Sequence, residues 1–209
     1  RIPGFRDIKR NDILVFNFPH PNSWDKIEMH ILKYYIKRCV GLPGDTLSIQ
    51  NGFFHVNGIE VPLGNPDSQK RIAFTEKFQD GIFHSFPYDG TIGWNIKEFG
   101  PLHIPAKGDS IRMDRTNFVL YKKLIEWEQQ GTLEYKDSTS FLNGRPIDSY
   151  RFLKNYYFMA GDNGINSQDS RYWGMLPEEY IVGKAWIIWK SVDPYTEKFR
   201  WERFMKIIH

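Results

Sequence analysis

The chain has 209 residues, with 28 Lys plus Arg against 25 Asp plus Glu, for a formal charge of +3. An excess that small argues against a nucleic-acid partner. With 41% apolar and 25% charged residues the chain has the balance of a folded domain, not of a disordered tail. The lone cysteine, Cys39, has no partner for an intramolecular disulfide, and no apolar run approaches the length of a bilayer span. Aromatic residues are abundant, with 7 Trp, 11 Tyr and 16 Phe. Most belong in a core, although exposed Trp and Tyr also suit a membrane interface, apolar on one side and wet on the other.

The first element is the apolar run Asp12-Ile13-Leu14-Val15-Phe16-Asn17-Phe18, stopped by Pro19 and Pro21, which reads as a buried strand. Tyr34 to Val40 is β-branched and aromatic and runs into the turn Gly41-Leu42-Pro43-Gly44-Asp45, a second strand. Asn51-Gly52, Asn57-Gly58 and Asn143-Gly144, flanked by apolar residues, are hairpin signals. Between them, about Val61 to Lys107 shows no sustained period and reads as loops and short strands. Asn117 to Gln130 places Phe118, Tyr121, Leu124, Ile125 and Trp127 on one helical face, with Gly131 as a stop. Tyr156 to Ala160 and Ala185 to Trp189 return to strand-like runs. The expected class is mostly β with one clear helix.

Common catalytic and nucleotide-binding fingerprints are missing. There is no HExxH or CxxC for zinc, no Gly-rich phosphate loop and no GxSxG elbow. No metal or cofactor is expected. Ser23-Trp24-Asp25-Lys26 matches an S-x-x-K pattern, but its companion motifs are absent and prolines bound its loop.

Two segments place charge where a fold prefers apolar groups. In a strand, side chains alternate between faces, so Lys37 shares one with Tyr35 and Cys39 while Arg38 points away with Ile36 and Val40. On an apolar face Lys37 is desolvated and its neutral form favoured, which makes it a competent general base. The alternative is a lysine that snorkels to water at a sheet edge. The second segment, Gly161 to Gly174, is a polar loop between apolar runs. Such loops carry sites, yet its Asp, Asn and Ser residues also make structural turns, and an Asp169–Arg171 pair at a surface would contribute little.

Together these segments resemble the bacterial type I signal peptidases. Lys37-Arg38-Cys39-Val40-Gly41-Leu42-Pro43-Gly44-Asp45 is similar to their K-R-x-x-G-x-P-G-D box. Gly161-Asp162-Asn163, followed by Ser167, Asp169, Ser170, Arg171 and Gly174, is similar to their G-D-N-x-x-x-S-x-D-S-R-x-x-G box, and Arg10 to Phe16 to a third, R-G-D-I-V-V-F. The resemblance implies a serine–lysine endopeptidase that removes signal peptides from exported preproteins by way of an acyl-enzyme. Lys37 matches the general base and Ser167 the hydroxyl that orients it. Asp169 with Arg171, and Asp162 with Arg38, match supporting ion pairs. Tyr34, Tyr35, Ile36 and Val15 match the strands that bind the extended substrate.

The implied fold is a β core from residues 1–46 and 153–209, with an inserted accessory domain at 47–152 containing the one helix. The implied place is the bacterial cytoplasmic membrane, with the catalytic domain on its outer, periplasmic face and the lipid surface as a partner. Gly164 stands where many members have Arg, and Asn11 replaces the Gly of the third box. The family's nucleophile lies in an S-M-x-P-T segment ahead of that box, and none occurs in these residues. The nucleophilic serine and the membrane anchor are therefore expected upstream of Arg1, and the chain alone is expected to be inactive. The rival readings are a self-cleaving repressor or conjugation-type peptidase, and a catalytically silent β-domain that binds extended peptides or partner proteins.

Overall fold

The computed structural model describes residues 7–31, 33–193 and 196–207. Strand β1 (Ile13–Asn17) leads to β2 (Tyr34–Gly41), and a turn delivers β3 (Thr46–Gln50), β4 (Phe53–Val56) and β5 (Ile59–Glu60). Helix α1 (Pro66–Phe74) follows, then β6 (Phe99–His103), β7 (Ser110–Arg112) and helix α2 (Arg115–Gln129). Strands β8 (Leu133–Lys136), β9 (Thr139–Leu142), β10 (Arg145–Ile147) and β11 (Ser149–Arg151) precede β12 (Tyr156–Ala160). Short helix α3 (Ser170–Trp173) and strands β13 (Leu176–Pro177), β14 (Ile181–Lys184), β15 (Ile187–Ile188) and β16 (Lys206–Ile207) complete the order.

One sheet runs β13-β12-β2-β1-β14, built only from the two ends of the chain. β1 alternates as expected of a half-buried strand: Leu14 and Phe16 are fully buried while Ile13 and Val15 are partly exposed. A second sheet, β5-β4-β3-β6, takes its hairpins at Asn51-Gly52 and Asn57-Gly58, where both asparagines adopt positive φ. The same chemistry at Asn143-Gly144 joins β9 to β10. One apolar core runs through both regions, with Phe99 of β6 set edge-on to Phe158 of β12 at 5.4 Å. Burying rings of this size contributes on the order of 1.5–3 kcal/mol each.

Three expectations need correction. The 47–152 region holds two helices, not one: α1 lies in the stretch read as loops and short strands. Its sequence PDSQKRIAF offers a weak apolar stripe, and its start is set locally by Asn65, whose side chain accepts from the Asp67 and Ser68 amides, with Pro66 opening the first turn. The run Ala185 to Trp189 yields a strand only at Ile187–Ile188, and the edge strand of the main sheet is Ile181–Lys184 instead. Trp186 and Trp189 are exposed, so their apolar character does not buy a buried strand here. Helix α2 begins two residues earlier than the pattern suggested, at the Asp114 cap, and ends on Gln130 in the left-handed region.

Candidate active site

β2 positions Lys37. Its backbone pairs Leu14 with Lys37 and Phe16 with Tyr35, so Lys37 lies on the buried face of the sheet, as its place in the alternation required. The ammonium sits 5.8 Å from the Tyr35 ring centroid, and Tyr35 in turn stacks on Phe18 at 4.5 Å. Burial lowers the Lys37 pKa, with Arg171 adding to that effect and Asp169 and Asp162 opposing it. The desolvated reading of Lys37 therefore fits better than a snorkelling one. Lys37 Nζ donates to Ser167 Oγ at 3.0 Å, across 130 residues of sequence.

The loop from Gly161 to Asp169 is braced at each end. Gly161 N–H donates to Asp169 Oδ2 at 2.8 Å, and Ser170 Oγ accepts from the Met159 amide at 2.9 Å. Asp169 caps α3 and is gripped by Arg171 through Nε–Oδ1 at 2.9 Å and NH2–Oδ2 at 2.8 Å. Both side chains are shut away from water, at 0% and 2% exposure. The surface pair that the sequence suggested is thus a buried one, because the loop folds back under β12. Arg171 NH2 also donates to the Gly164 carbonyl at 2.8 Å. The other pair, Arg38 with Asp162, is bidentate at 2.9 Å but keeps a half-exposed carboxylate. That carboxylate holds Arg38 firmly charged.

β2 offers a partly open edge. The backbone bonds Asn11 N to Cys39 O, Cys39 N to Asp12 O and Phe18 N to Lys33 O turn the amides and carbonyls of the odd-numbered residues of β2 towards β1. Those of even number face β12, which pairs only with Arg38, Cys39 and Gly41. The amides and carbonyls of Tyr34 and Ile36 accordingly face a side where no strand pairs among the described residues. A cleft of about 980 Å³ opens beside this edge, with Ile13, Ile36, Lys37 and Ser167 on one side and Ile187 and Ile207 of the β15–β16 hairpin on the other. Among the described residues no group of three or more His, Cys, Asp or Glu side chains is arranged to hold a metal ion.

A family model described as signal peptidase, peptidase S26, matches residues 2–190. The chain belongs to that family. It is 28% identical over 88% of its length to a signal peptidase I of Buchnera aphidicola subsp. Schizaphis graminum, covering 54% of that protein. It is 32% identical over 83% of its length to the signal peptidase I of Haemophilus influenzae, covering 44% of it. The chain thus spans about half the length of these relatives. A crystal structure of a signal peptidase I from Enterococcus faecalis is similar at 19% identity, over 87% of this chain and 99% of that one, with a TM-score of 0.41.

Within this signal peptidase framework the residues named from sequence fall into place unequally. Lys37, Ser167, Arg38, Asp162, Asp169 and Arg171 come together within one network. Ile36 lines the cleft with Ile13, while Val15 sits across from Ile36 without lining it. Tyr34 is exposed, and Tyr35 covers Lys37 from the core side. Asn11 has φ of 70°, a left-handed conformation that explains why the equivalent position takes Gly and why Asn is tolerated. Two contributors escaped sequence reasoning. Arg10 pairs with Asp45, tying two of the family's boxes together; both residues stand in quoted motifs, so that pair was within reach. Ser68 of α1, whose hydroxyl accepts from Gly164 N–H at 2.6 Å, carried no signal at all.

Proposed function

We propose that the chain is the catalytic portion of a membrane-bound endopeptidase that removes signal peptides from exported preproteins. The observation that carries this reading is the Lys37–Ser167 contact, made by a desolvated lysine at the end of an open strand edge. Lys37 in its neutral form is the general base; Ser167 holds its lone pair in the working direction by accepting from Nζ. The nucleophile is a serine upstream of this chain, as the family resemblance implies. Its hydroxyl oxygen attacks the scissile carbonyl, its proton passes to Lys37, and the amine leaves with a proton from Lys37. Water activated by the same lysine then hydrolyses the acyl-enzyme. Asp169 with Arg171, and Asp162 with Arg38, fix the loop and strand that bring these two side chains together.

The substrate adds as a strand along Tyr34–Ile36, whose outward backbone groups supply the hydrogen bonds, while the Ile36 and Ile13 side chains line the cleft beside it. The division into a core of 1–46 and 153–209 with an insert at 47–152 is supported by the strand membership of the main sheet. The whole protein works at the outer face of the bacterial cytoplasmic membrane. Exposed Trp186, Trp189 and Trp201, on the hairpin beside the cleft, support contact with the lipid surface.

The test is cleavage of a signal-peptide-bearing precursor by the full-length protein, wild type and Lys37→Ala, alongside the 209-residue chain. Cleavage by the full-length wild type alone is expected. Retained turnover with Lys37→Ala removes the general-base assignment. Peptide binding with no turnover by any form favours the silent β-domain.

A further inference from the structure

Gly164 lies in the loop that delivers Ser167, and its backbone is held from both sides by buried side chains. Arg171 donates to its carbonyl, and Ser68 of α1 accepts from its amide. Ser68 is itself only 3% exposed. We infer that Ser68 is a positioning residue for the Lys37–Ser167 pair. Its hydroxyl fixes Gly164, and the 3₁₀ turn Gly164–Asn166 carries that constraint into Ser167. The inference rests on the reading of Lys37 as general base and adds to it a role for the inserted region.

The helix behind Ser68 is rigidly seated, which is what a positioning residue needs. Gln69 accepts from Phe54 N at 3.0 Å and donates to Leu63 O at 2.6 Å, locking α1 to the second sheet. Ile72 packs with Ile96 and Tyr172, and Ile165 of the loop leans on the same cluster. The contact is also sterically matched. A Cβ on Gly164 would stand 2.8 Å from both Ser68 Oγ and Ile72 Cδ1, so a side chain of any size there has no room beside this helix. The bare glycine and the docked helix belong together. None of Ser68, Gln69 and Ile72 lines the cleft, so their influence reaches turnover through the loop and leaves substrate contact untouched.

The experiment uses the full-length protein with Ser68→Ala and Ser68→Thr. Two readouts are taken: kcat and KM for precursor cleavage across pH, and the titration of isotope-methylated Lys37 by NMR. Losing the hydroxyl leaves a buried amide unpaired and lets water reach the loop. For Ser68→Ala we expect kcat to fall roughly tenfold, about 1.4 kcal/mol at the standard conversion, with KM little changed. The acid limb of the rate profile and the Lys37 titration should both move to higher pH, and Ser68→Thr should restore them. Should Ser68→Ala fail to fold, Gly164→Ala presses on the same oxygen from the loop side and must give the same shift. A Lys37 titration unmoved by either variant overturns the inference. Absence of cleavage by the wild type counts against the proposed function, while the titration still decides the role of Ser68.

Discussion

A Cβ on Gly161 would stand 1.9 Å from Ser167 Oγ and 3.4 Å from Lys37 Nζ, so the bare Cα of Gly161 forms the wall against which the serine hydroxyl rests. Gly161→Ala must therefore push Ser167 off its contact with the lysine while leaving the sheet intact. We expect precursor cleavage by the full-length protein to drop roughly 100-fold, the scale of an ångström-sized misplacement at a reacting group. Steady-state kinetics check this, with circular dichroism as the control for folding. Near-wild-type turnover would mean that the Ser167 orientation is dispensable.

The two ion pairs near the site should differ in what they contribute. Asp169 and Arg171 are sealed from water, and Asp169→Asn leaves a guanidinium charge buried without its counter-charge. That substitution should destabilise the fold by about 3–5 kcal/mol. Asp162 is half exposed, and Asp162→Asn should cost about 1 kcal/mol or less. Urea unfolding of both variants gives the comparison. Equal costs would contradict the burial that separates them.

How far the sequence announced this arrangement depends on the range of each signal. β1, β2 and β12 were legible because their apolar runs are bounded by Pro and Gly, and the face of Lys37 followed from counting along one strand. The hairpins were legible because Asn-Gly supplies positive φ wherever it stands. Helix α1 was not, since its stripe is short and its stability comes from Gln69 and Ile72 meeting residues distant in the chain. The burial of Asp169 and Arg171 was equally hidden: local spacing shows that they can pair, and only the packing of the loop beneath β12 decides that water is excluded. Ser68 illustrates the limit, because nothing near residue 68 points to residue 164.

Lys37 also makes a prediction about pH. Its folded-state pKa is depressed, chiefly by burial, below the ordinary lysine value of about 10.4 that it regains on unfolding. Between those two values the unfolded chain binds more protons, so this residue makes stability rise with pH. At lower pH both states are charged and the folded one bears the full cost of desolvation. Lys37→Met removes that dependence. Its advantage in melting temperature over wild type should be largest on the acid side of the folded-state titration and shrink as pH approaches about 10. A difference that stays constant over that window would mean Lys37 is not desolvated.

The open edge of β2 can be tested at a single atom. Ile36 directs its amide away from β1, so Ile36→Pro deletes one donor from the edge without breaking a bond of the sheet. If substrate adds there as a strand, KM for an extended precursor should rise several-fold, the loss of about one hydrogen bond. Thermal stability should change little, since Ile36 is 60% exposed. An unchanged KM would place the substrate elsewhere in the cleft.

The hairpin beside the cleft presents three exposed indoles, with Trp186, Trp189 and Trp201 at 73%, 69% and 75% exposure. Lys190, Arg203 and Lys206 line the adjoining cleft. Indoles seat at the headgroup boundary because one face is apolar and the N–H stays wet, and each basic side chain near an anionic surface adds about 1 kcal/mol. The 209-residue chain should therefore bind vesicles containing phosphatidylglycerol more tightly than neutral ones, with affinity falling as salt is raised. Replacing Trp189 and Trp201 by Ser should reduce binding to both kinds, whereas Lys206→Gln should narrow the difference between them. Sedimentation with vesicles measures both effects. Equal recovery of wild type and double variant with the lipid would show that the hairpin faces water, and would leave the exposed tryptophans to a protein contact.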